Sequence, residues 1–207
     1  PSAVQGALFT SISMVLARTV AVFGDTAIAV QKVGSQIESI SWMTADGFSA
    51  ALSSFIAQNH GAGNFERTKR GFRSAFTIMV CWGIFTSLLL IFAAAPIFRI
   101  FIREPEALPL GVDYLVILGF SQLFCCIEIM VGGAFSGFGK TLPPSITSIV
   151  LTSARIPMAM VLSATALGLN GVWWSITISS ILKGTVLLTL FLLFLRRETR
   201  RRQEQPA

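Results

Sequence analysis

From Ser74 to Phe98 the chain carries no charged residue at all. About 20 mostly apolar residues, rising ~1.5 Å each, cross the hydrocarbon of a bilayer as an α-helix. Inside hydrocarbon every backbone N–H and C=O must find its partner within the protein, so such a segment folds as a helix and not as a loop or an open strand. Five further apolar segments flank it. The spans run at about 1–23, 26–58, 74–98, 108–136, 143–167 and 172–195, followed by a basic tail over 196–207. Charged residues make up 13% of the chain and hydrophobic ones 53%, against roughly 25% charged in a soluble domain. The expected fold class is all-α integral membrane, with six transmembrane helices. Cys81, Cys125 and Cys126 all fall in apolar stretches and are expected to be reduced, buried and structural. The chain opens on Pro1, with no charged leader before its first apolar run, and is expected to start inside a longer protein.

Basic residues give the spans a direction. Arg67, Lys69, Arg70 and Arg73 follow the second span, Lys140 follows the fourth, and Arg196, Arg197, Arg200, Arg201 and Arg202 follow the sixth. The other side holds Arg99 and Arg103, with Arg18 and Lys32 near helix ends, so the count is ten against four. Lys and Arg collect in cytoplasmic loops, which places both ends of the segment in the cytoplasm of a multi-pass protein of the cell (plasma or inner) membrane. The three basic segments share a side only if an even number of spans separates them. Charge therefore supports six spans independently of hydropathy.

Two glycine-rich stretches imitate phosphate-binding loops. In "QNHGAGNFE", Gly61 and Gly63 are followed by Glu66 where a dinucleotide fingerprint has glycine, and a span precedes them instead of a strand. In "GAFSGFGKT", Ala134 stands where a P-loop has its first glycine. Both are expected to be helix exits: Gln58 and Asn59 cap open carbonyls, Gly61 and Gly63 adopt positive φ, and Asn64 completes the cytoplasmic loop motif. No nucleic-acid partner is expected. With no His-rich metal cluster, nucleophile elbow or paired catalytic motif, neither is an enzymatic activity.

Ionisable groups at membrane depth are costly and face cavities or partners. The second span holds Glu38 and Asp46. At 100° per residue, Gln31, Ser35, Glu38, Asp46, Ser49 and Ser53 fall within about 80° of one another, with Trp42 in the same stripe. That stripe is expected to wall a water-filled cavity or a helix interface, and Gln36 on the same span is a further polar candidate. Glu128, Arg155 and Lys183 add charges to the fourth, fifth and sixth spans. Counted from the cytoplasmic ends, Asp46 and Arg155 lie roughly 18 Å deep, Lys183 roughly 20 Å and Glu128 roughly 12 Å. Three acids and two bases thus share one zone. They form either fixed ion pairs that position the helices or a site where a carboxylate exchanges H⁺ or Na⁺. Low dielectric favours the neutral acid and a nearby cation favours the carboxylate, and a coupling group needs the two in balance. Glu128 is the first coupling candidate, because Gly132 and Gly133 make room beside it; Glu38 and Asp46 follow. Trp42 is expected to stack against flat cations, whereas Trp173 and Trp174 are expected to sit at the outer membrane interface.

These segments resemble the multidrug and toxic compound extrusion family of transporters. "QIESISWMTADGFSAALSSFIAQNHGAGNFERTKRGFR" is similar to that family's eighth helix and following loop, and Gln58-Asn59-x-Gly61-Ala62-Gly63-Asn64 is the most specific match. "GAFSGFGKTLPPSI", "ARIPMA" and "GLNGVWWSITISSILKG" resemble its tenth to twelfth helices, and "PSAVQGALFTSISMVLAR" the start of the seventh. The resemblance implies the C-terminal six-helix lobe of a two-lobe, twelve-helix transporter, whose partners are the missing N-terminal lobe, the lipid bilayer and small amphiphilic or cationic substrates. It implies efflux in exchange for Na⁺ or H⁺, with no other cofactor, by alternating access. Two features depart from the family pattern. The first span has Gln5 and no acid, where some members carry a cation-binding one. Aligning on Gly137 puts Cys125 where others carry an acid, with Glu128 one turn away. A lipid-linked oligosaccharide flippase of the same two-lobe fold is the alternative; its more basic cavity would match Arg155 and Lys183 but not the three acids. A structural membrane subunit is a further alternative.

Overall fold

The computed structural model describes residues 2–102 and 104–204, and the side chains of all of these except residues 2–5, 202 and 203. Pro1, Arg103 and the last three residues of the expected tail lie outside the described residues, as do the side chains of Gln5 and Arg202. Helical segments follow one another in the expected order, three of them broken. They give α1 (Ser2–Ala21), α2 (Asp25–Gly61), α3 (Phe65–Phe92), α4 (Ala94–Phe101), α5 (Ala107–Gly119), α6 (Gln122–Gly137), α7 (Leu142–Ser153), α8 (Arg155–Ser163) and α9 (Leu169–Glu204). By length and hydropathy, three helical stretches suffice to cross a membrane: Phe65–Phe92, Leu142–Ser163 and Leu169–Arg201. The pair α5 and α6, bent by 48°, makes a fourth. The apolar part of α1 is shorter, and α2 is too polar to qualify by composition.

The breaks have local causes. Pro96 has no N–H for the carbonyl of Phe92 and its ring crowds that carbonyl; α3 stops there and α4 restarts after Ala93. Pro157 does the same to Ser153, and the helix breaks at Ala154. Between α5 and α6 there is no proline. Ser121, buried, turns its Oγ back onto the Leu118 carbonyl at 2.8 Å, a side-chain bond that competes with the helical ladder.

Two expected boundaries move. The third span was expected from Ser74, but α3 starts at Phe65, so Arg67, Lys69, Arg70 and Arg73 lie within its first turns rather than in a loop. These residue types are good helix formers. Glu66 in the first turn favours the helix dipole and pairs with Lys69 at 2.9 Å. Likewise the basic tail through Arg201 continues α9, a single helix of 36 residues.

The two phosphate-loop imitations are the same helix-ending motif. After α2, the Gly63 N–H bonds the His60 carbonyl at 3.1 Å and the Asn64 N–H the Asn59 carbonyl at 2.8 Å, with Gly63 at φ 74°. After α6, Gly139 at φ 69° bonds Ser136 at 2.9 Å, and Lys140 bonds Phe135 at 2.9 Å. Both are Schellman caps, in which one left-handed residue closes the last carbonyls. Gly61 differs from expectation: it is the last helical residue of α2, and only Gly63 takes positive φ. The Asn59 Nδ2 donates to the Phe55 carbonyl at 2.8 Å, whereas it is the backbone carbonyl of Gln58, not its side chain, that takes part, accepting from Ala62 at 3.0 Å. A Cβ on Gly63 would meet no neighbour. Gly63→Ala should therefore lower stability by the backbone term alone, about 1–2 kcal/mol, read as a lower unfolding midpoint in detergent. An unchanged midpoint would mean that the cap contributes nothing.

Side chains pack into two apolar clusters. One gathers Val30 and Ile37 of α2, Phe98, Tyr114, Leu115 and Trp173. The other gathers Leu52 and Ile56 of α2, Phe72, Met79, Phe135 and Phe191. The α2 residues divide at about Glu38–Ser41 and the α9 residues between Trp173 and Leu187, so the clusters occupy opposite ends of the bundle. Between them lie the buried polar residues Glu38, Ser41, Gln122, Arg155, Ser179, Ser180 and Lys183. The outside is apolar: Val22, Phe92, Ile100 and Met43 are 84%, 81%, 77% and 71% exposed. Such a surface is matched to lipid rather than water. Cys81, expected buried, is exposed on this surface, while Cys126 is buried and Cys125 half-buried. Trp173, expected at the membrane interface, is fully buried, edge-on to Tyr114 at 5.1 Å between ring centroids. Its Nε1 donates to Gln31 Oε1 at 3.3 Å. An indole whose N–H finds a partner is free to sit in a core. Trp174 is half-buried and stacks on Phe120.

Candidate functional site: a divided polar belt

The buried polar residues are not one cluster. Lys183 Nζ of α9 donates to Glu128 Oε1 of α6 at 2.9 Å, their side chains 6% and 14% exposed. Gly184, next to the lysine, allows this approach, because a Cβ there would strike the Phe124 backbone carbonyl. Gly133 makes room for α2 rather than for Glu128: a Cβ on it would run into Ser49, whereas Gly132 faces open space. Ser49 Oγ reaches across the same crossing to the Ile129 carbonyl at 3.0 Å.

Arg155, the first residue of α8, is buried against α9. Its Nε donates to Ser179 Oγ at 3.1 Å and its Nη2 to Ser180 Oγ at 2.9 Å. Ser179 in turn donates to the Leu151 carbonyl of α7 at 2.8 Å. The helix break at Ala154 is thus bridged to α9 by one guanidinium and two hydroxyls. Among the described residues no carboxylate forms an ion pair with Arg155.

Glu38 is 5% exposed. Tyr114, Gln122 and Trp42 hydrogen-bond its carboxyl group and Arg155 stands near it; its Oε1 is the oxygen left without a partner, as is the buried Oε1 of Gln122. Tyr114 comes close to α2 because Gly34 has no side chain to obstruct its ring. A smaller clamp lies alongside, where Ser41 meets Thr86 at 3.4 Å and Cys126 at 3.6 Å.

Three cavities open on this belt. One of about 400 Å³ between α1, α7 and α9 reaches Glu128, Lys183 and Thr152. A second of about 500 Å³ reaches Asp46, Ser49, Ser53, Glu128 and Ser148. A third of about 330 Å³ is bounded by α1, Gln31, Ser35, Glu38, Trp42, Tyr114 and Arg155. The polar stripe of α2 therefore serves two cavities: its first half faces the third, and Asp46, Ser49 and Ser53 face the second. Gln36 is exposed and borders none of the three, because it points away from the stripe. Asp46 is exposed, and among the described residues it has no ion-pair partner. The expected zone of three acids and two bases resolves into one closed pair, Glu128–Lys183, a lone Asp46, and Glu38 with Arg155 on a common cavity. Sequence reading missed Tyr114 and Gln122. The signal for both was present: the chain's single tyrosine, and an amide within an apolar run.

Similarity to known proteins agrees with this architecture. The MatE family model matches residues 1–161. The chain is 29% identical to the probable multidrug resistance protein NorM of Thermotoga maritima, over 93% of this chain and 42% of that protein. It is 30% identical to the probable multidrug resistance protein YoeA of Bacillus subtilis, over 73% of this chain and 33% of that one. Among solved structures, a MATE protein in its bent conformation superposes with a TM-score of 0.88 at 20% identity, over 97% of this chain and 45% of that one. The chain thus spans less than half the length of the relatives it matches, as one lobe of a two-lobe fold does. With the family model matching so much of the sequence and the fold shared along nearly the whole chain, the chain belongs to the MatE family.

Proposed function

We propose that this chain forms one lobe of a transporter that exports small amphiphilic or cationic compounds in exchange for Na⁺ or H⁺ entering the cell. The observation that carries the reading is Glu128: a carboxylate between the two apolar clusters, held by Lys183 and bordering two separate cavities. A carboxylate whose counter-charge is one movable ammonium can exchange that partner for an incoming cation when access changes. Arrival of that cation frees Lys183, and α9 carries the change to the ends of the bundle. Glu38 and Asp46 are the other acids able to take part, each on its own cavity. In this reading Arg67, Lys69, Arg70, Arg73, Lys140 and the basic end of α9 lie on the cytoplasmic side of the cell membrane, as the excess of Lys and Arg in those segments supports. The second lobe, which completes the cavity for alternating access, is supplied by the rest of the protein. The multidrug resistance relatives support the substrate class.

The test is transport by the intact protein in proteoliposomes under an imposed Na⁺ or H⁺ gradient. Glu128→Gln should abolish gradient-driven efflux of a fluorescent amphiphilic cation while leaving passive binding of that cation measurable. Unchanged gradient-driven efflux would remove Glu128 from the coupling step, and efflux indifferent to both gradients in the parent protein would remove ion coupling altogether.

A further inference from the structure

A basic cleft lies between α3 and α9, away from the polar belt. The two helices touch at Phe72 and Phe191, whose ring centroids are 4.5 Å apart. Beyond that contact they leave a cleft of about 810 Å³, bordered by Glu66, Arg67 and Arg70 of α3, the turn at Gly63 and Asn64, and Thr199 of α9. Arg67 and Arg70 are exposed, and among the described residues neither forms an ion pair. Three residues apart, they share one face of α3. Phe55 of α2 supports the first, its ring centroid 5.9 Å from the Arg67 guanidinium. That ring can lie against α3 because Gly71 has no Cβ to strike it. The carboxylate on the lining, Glu66, is already taken by Lys69 at 2.9 Å. Asn64, at the start of α3, makes no side-chain bond to the helix, so the positive end of the α3 dipole adds to the arginines. We propose that this cleft binds the headgroup of an anionic phospholipid, its phosphate on Arg67 and Arg70 and its acyl chains along α3 and α9. The inference is independent of the efflux reading and needs only that α3 crosses the membrane.

Height and lining fit the assignment. The uncharged run of α3 begins at Ser74. At ~1.5 Å per residue, Arg70 stands about 6 Å and Arg67 about 10 Å outside that run, in the headgroup layer that flanks the hydrocarbon. Apolar surface continues below. Ile78, on the same face of α3 as Arg67, is exposed, and so is Leu192 of α9, two turns before Thr199. A phosphate on the two arginines therefore has apolar walls beneath it for its chains. The guanidinium fork matches phosphate oxygens two at a time. Basic pockets between membrane helices at the bilayer surface suit anionic headgroups. A free phosphate ion would gain the charge alone, whereas a lipid also covers the exposed apolar faces. Lys140 is exposed as well but does not border the cleft, so it attracts anions only as a solvated point charge.

The test is lipid retention by the intact protein. It is placed in nanodiscs of equal parts dioleoyl phosphatidylglycerol and dioleoyl phosphatidylcholine, which share their chains and differ in headgroup charge. The protein is then released into detergent, and the lipid that stays bound is read by native mass spectrometry. The parent protein should retain phosphatidylglycerol over phosphatidylcholine by about tenfold or more. Arg67→Gln combined with Arg70→Gln should bring the ratio near one. Lysine at both positions should keep part of the preference, since charge remains without the fork. Lys140→Gln removes one charge outside the cleft and should leave the ratio within about twofold of the parent. Equal retention of the two lipids by the parent protein overturns the proposal. So does a fall in Lys140→Gln as large as that in Arg70→Gln, which would mean diffuse attraction to a basic surface. Glycerol 1-phosphate carries the anionic group without the chains. Added in molar excess it should leave phosphatidylglycerol bound, and displacement would overturn the lipid assignment in favour of a soluble phosphate compound. Should the double variant fail to fold, Arg70→Gln alone makes the comparison, with an unchanged ratio overturning the proposal. No readout involves an ion gradient, so the outcome is separate from that of the efflux test.

Discussion

Replacing Lys183 with Met should destabilise the bundle by about 3–5 kcal/mol, because it leaves the Glu128 carboxylate buried without its counter-charge. The pair is largely buried, with Lys183 6% and Glu128 14% exposed in their side chains. Removing one member of such a pair is far worse than removing both, since an apolar pair of similar volume restores packing without stranding a charge. The double variant Glu128→Leu with Lys183→Met should therefore recover most of the loss in stability, though not transport. The check is a double-mutant cycle on the thermal unfolding midpoint of the purified protein in detergent. If the double variant is as unstable as Lys183→Met alone, the two side chains are not coupled and their contact is incidental.

The second large effect lies at the crossing of α2 and α6, the most extensive contact in the bundle. Gly133 and Gly137 let the helices meet backbone to backbone: a Cβ on Gly133 would meet Ser49, and one on Gly137 would lie 2.7 Å from the Ser53 carbonyl oxygen. Small residues at such a crossing are what allow membrane helices to gain van der Waals contact. Backbone cannot move aside as a side-chain tip can. Gly133→Val should accordingly cost about 3 kcal/mol or more and lower the yield of folded protein on size exclusion. Its neighbour is an internal control. Gly132 faces open space, so Gly132→Ala should be neutral, or stabilising by about 0.5–1 kcal/mol through the helix backbone. Equal effects at the two positions would contradict the packing.

Much of the architecture was legible because bilayer solvation acts on local sequence. An uncharged run such as Ser74–Phe98 satisfies its backbone within the membrane by turning helical. The helix exits were legible for a similar reason, since a glycine after Asn59 or Ser136 is a local signal. What escaped was set between helices. The prolines mark two breaks, but the bend at Phe120–Ser121 depends on a serine that turns inward only because it is buried. Trp173 looked like an interface residue until Gln31, far away in the chain, was found to accept its N–H. The charges show the limit most clearly. Depth along each span placed Glu128, Arg155 and Lys183 in one layer, but depth says nothing about rotation around each axis. Rotation is what joined Lys183 to Glu128 and set Arg155 on two serines. It also turned Gln36 outward while Glu38, two residues on, turned inward.

The unbroken run of α9 has a mechanical meaning. Its 36 residues extend about 54 Å, against a hydrocarbon layer of about 30 Å, so its basic end stands clear of the membrane as a rigid shaft. Lys183 and the two serines that grip Arg155 sit on the inner part of that same shaft. Any tilt of the lobe at the membrane midplane is magnified at the far end, as with the pointer of a gauge. A spin label or fluorophore on Thr199 would report any displacement of the buried belt from outside the bilayer, without a probe ever entering the cavities.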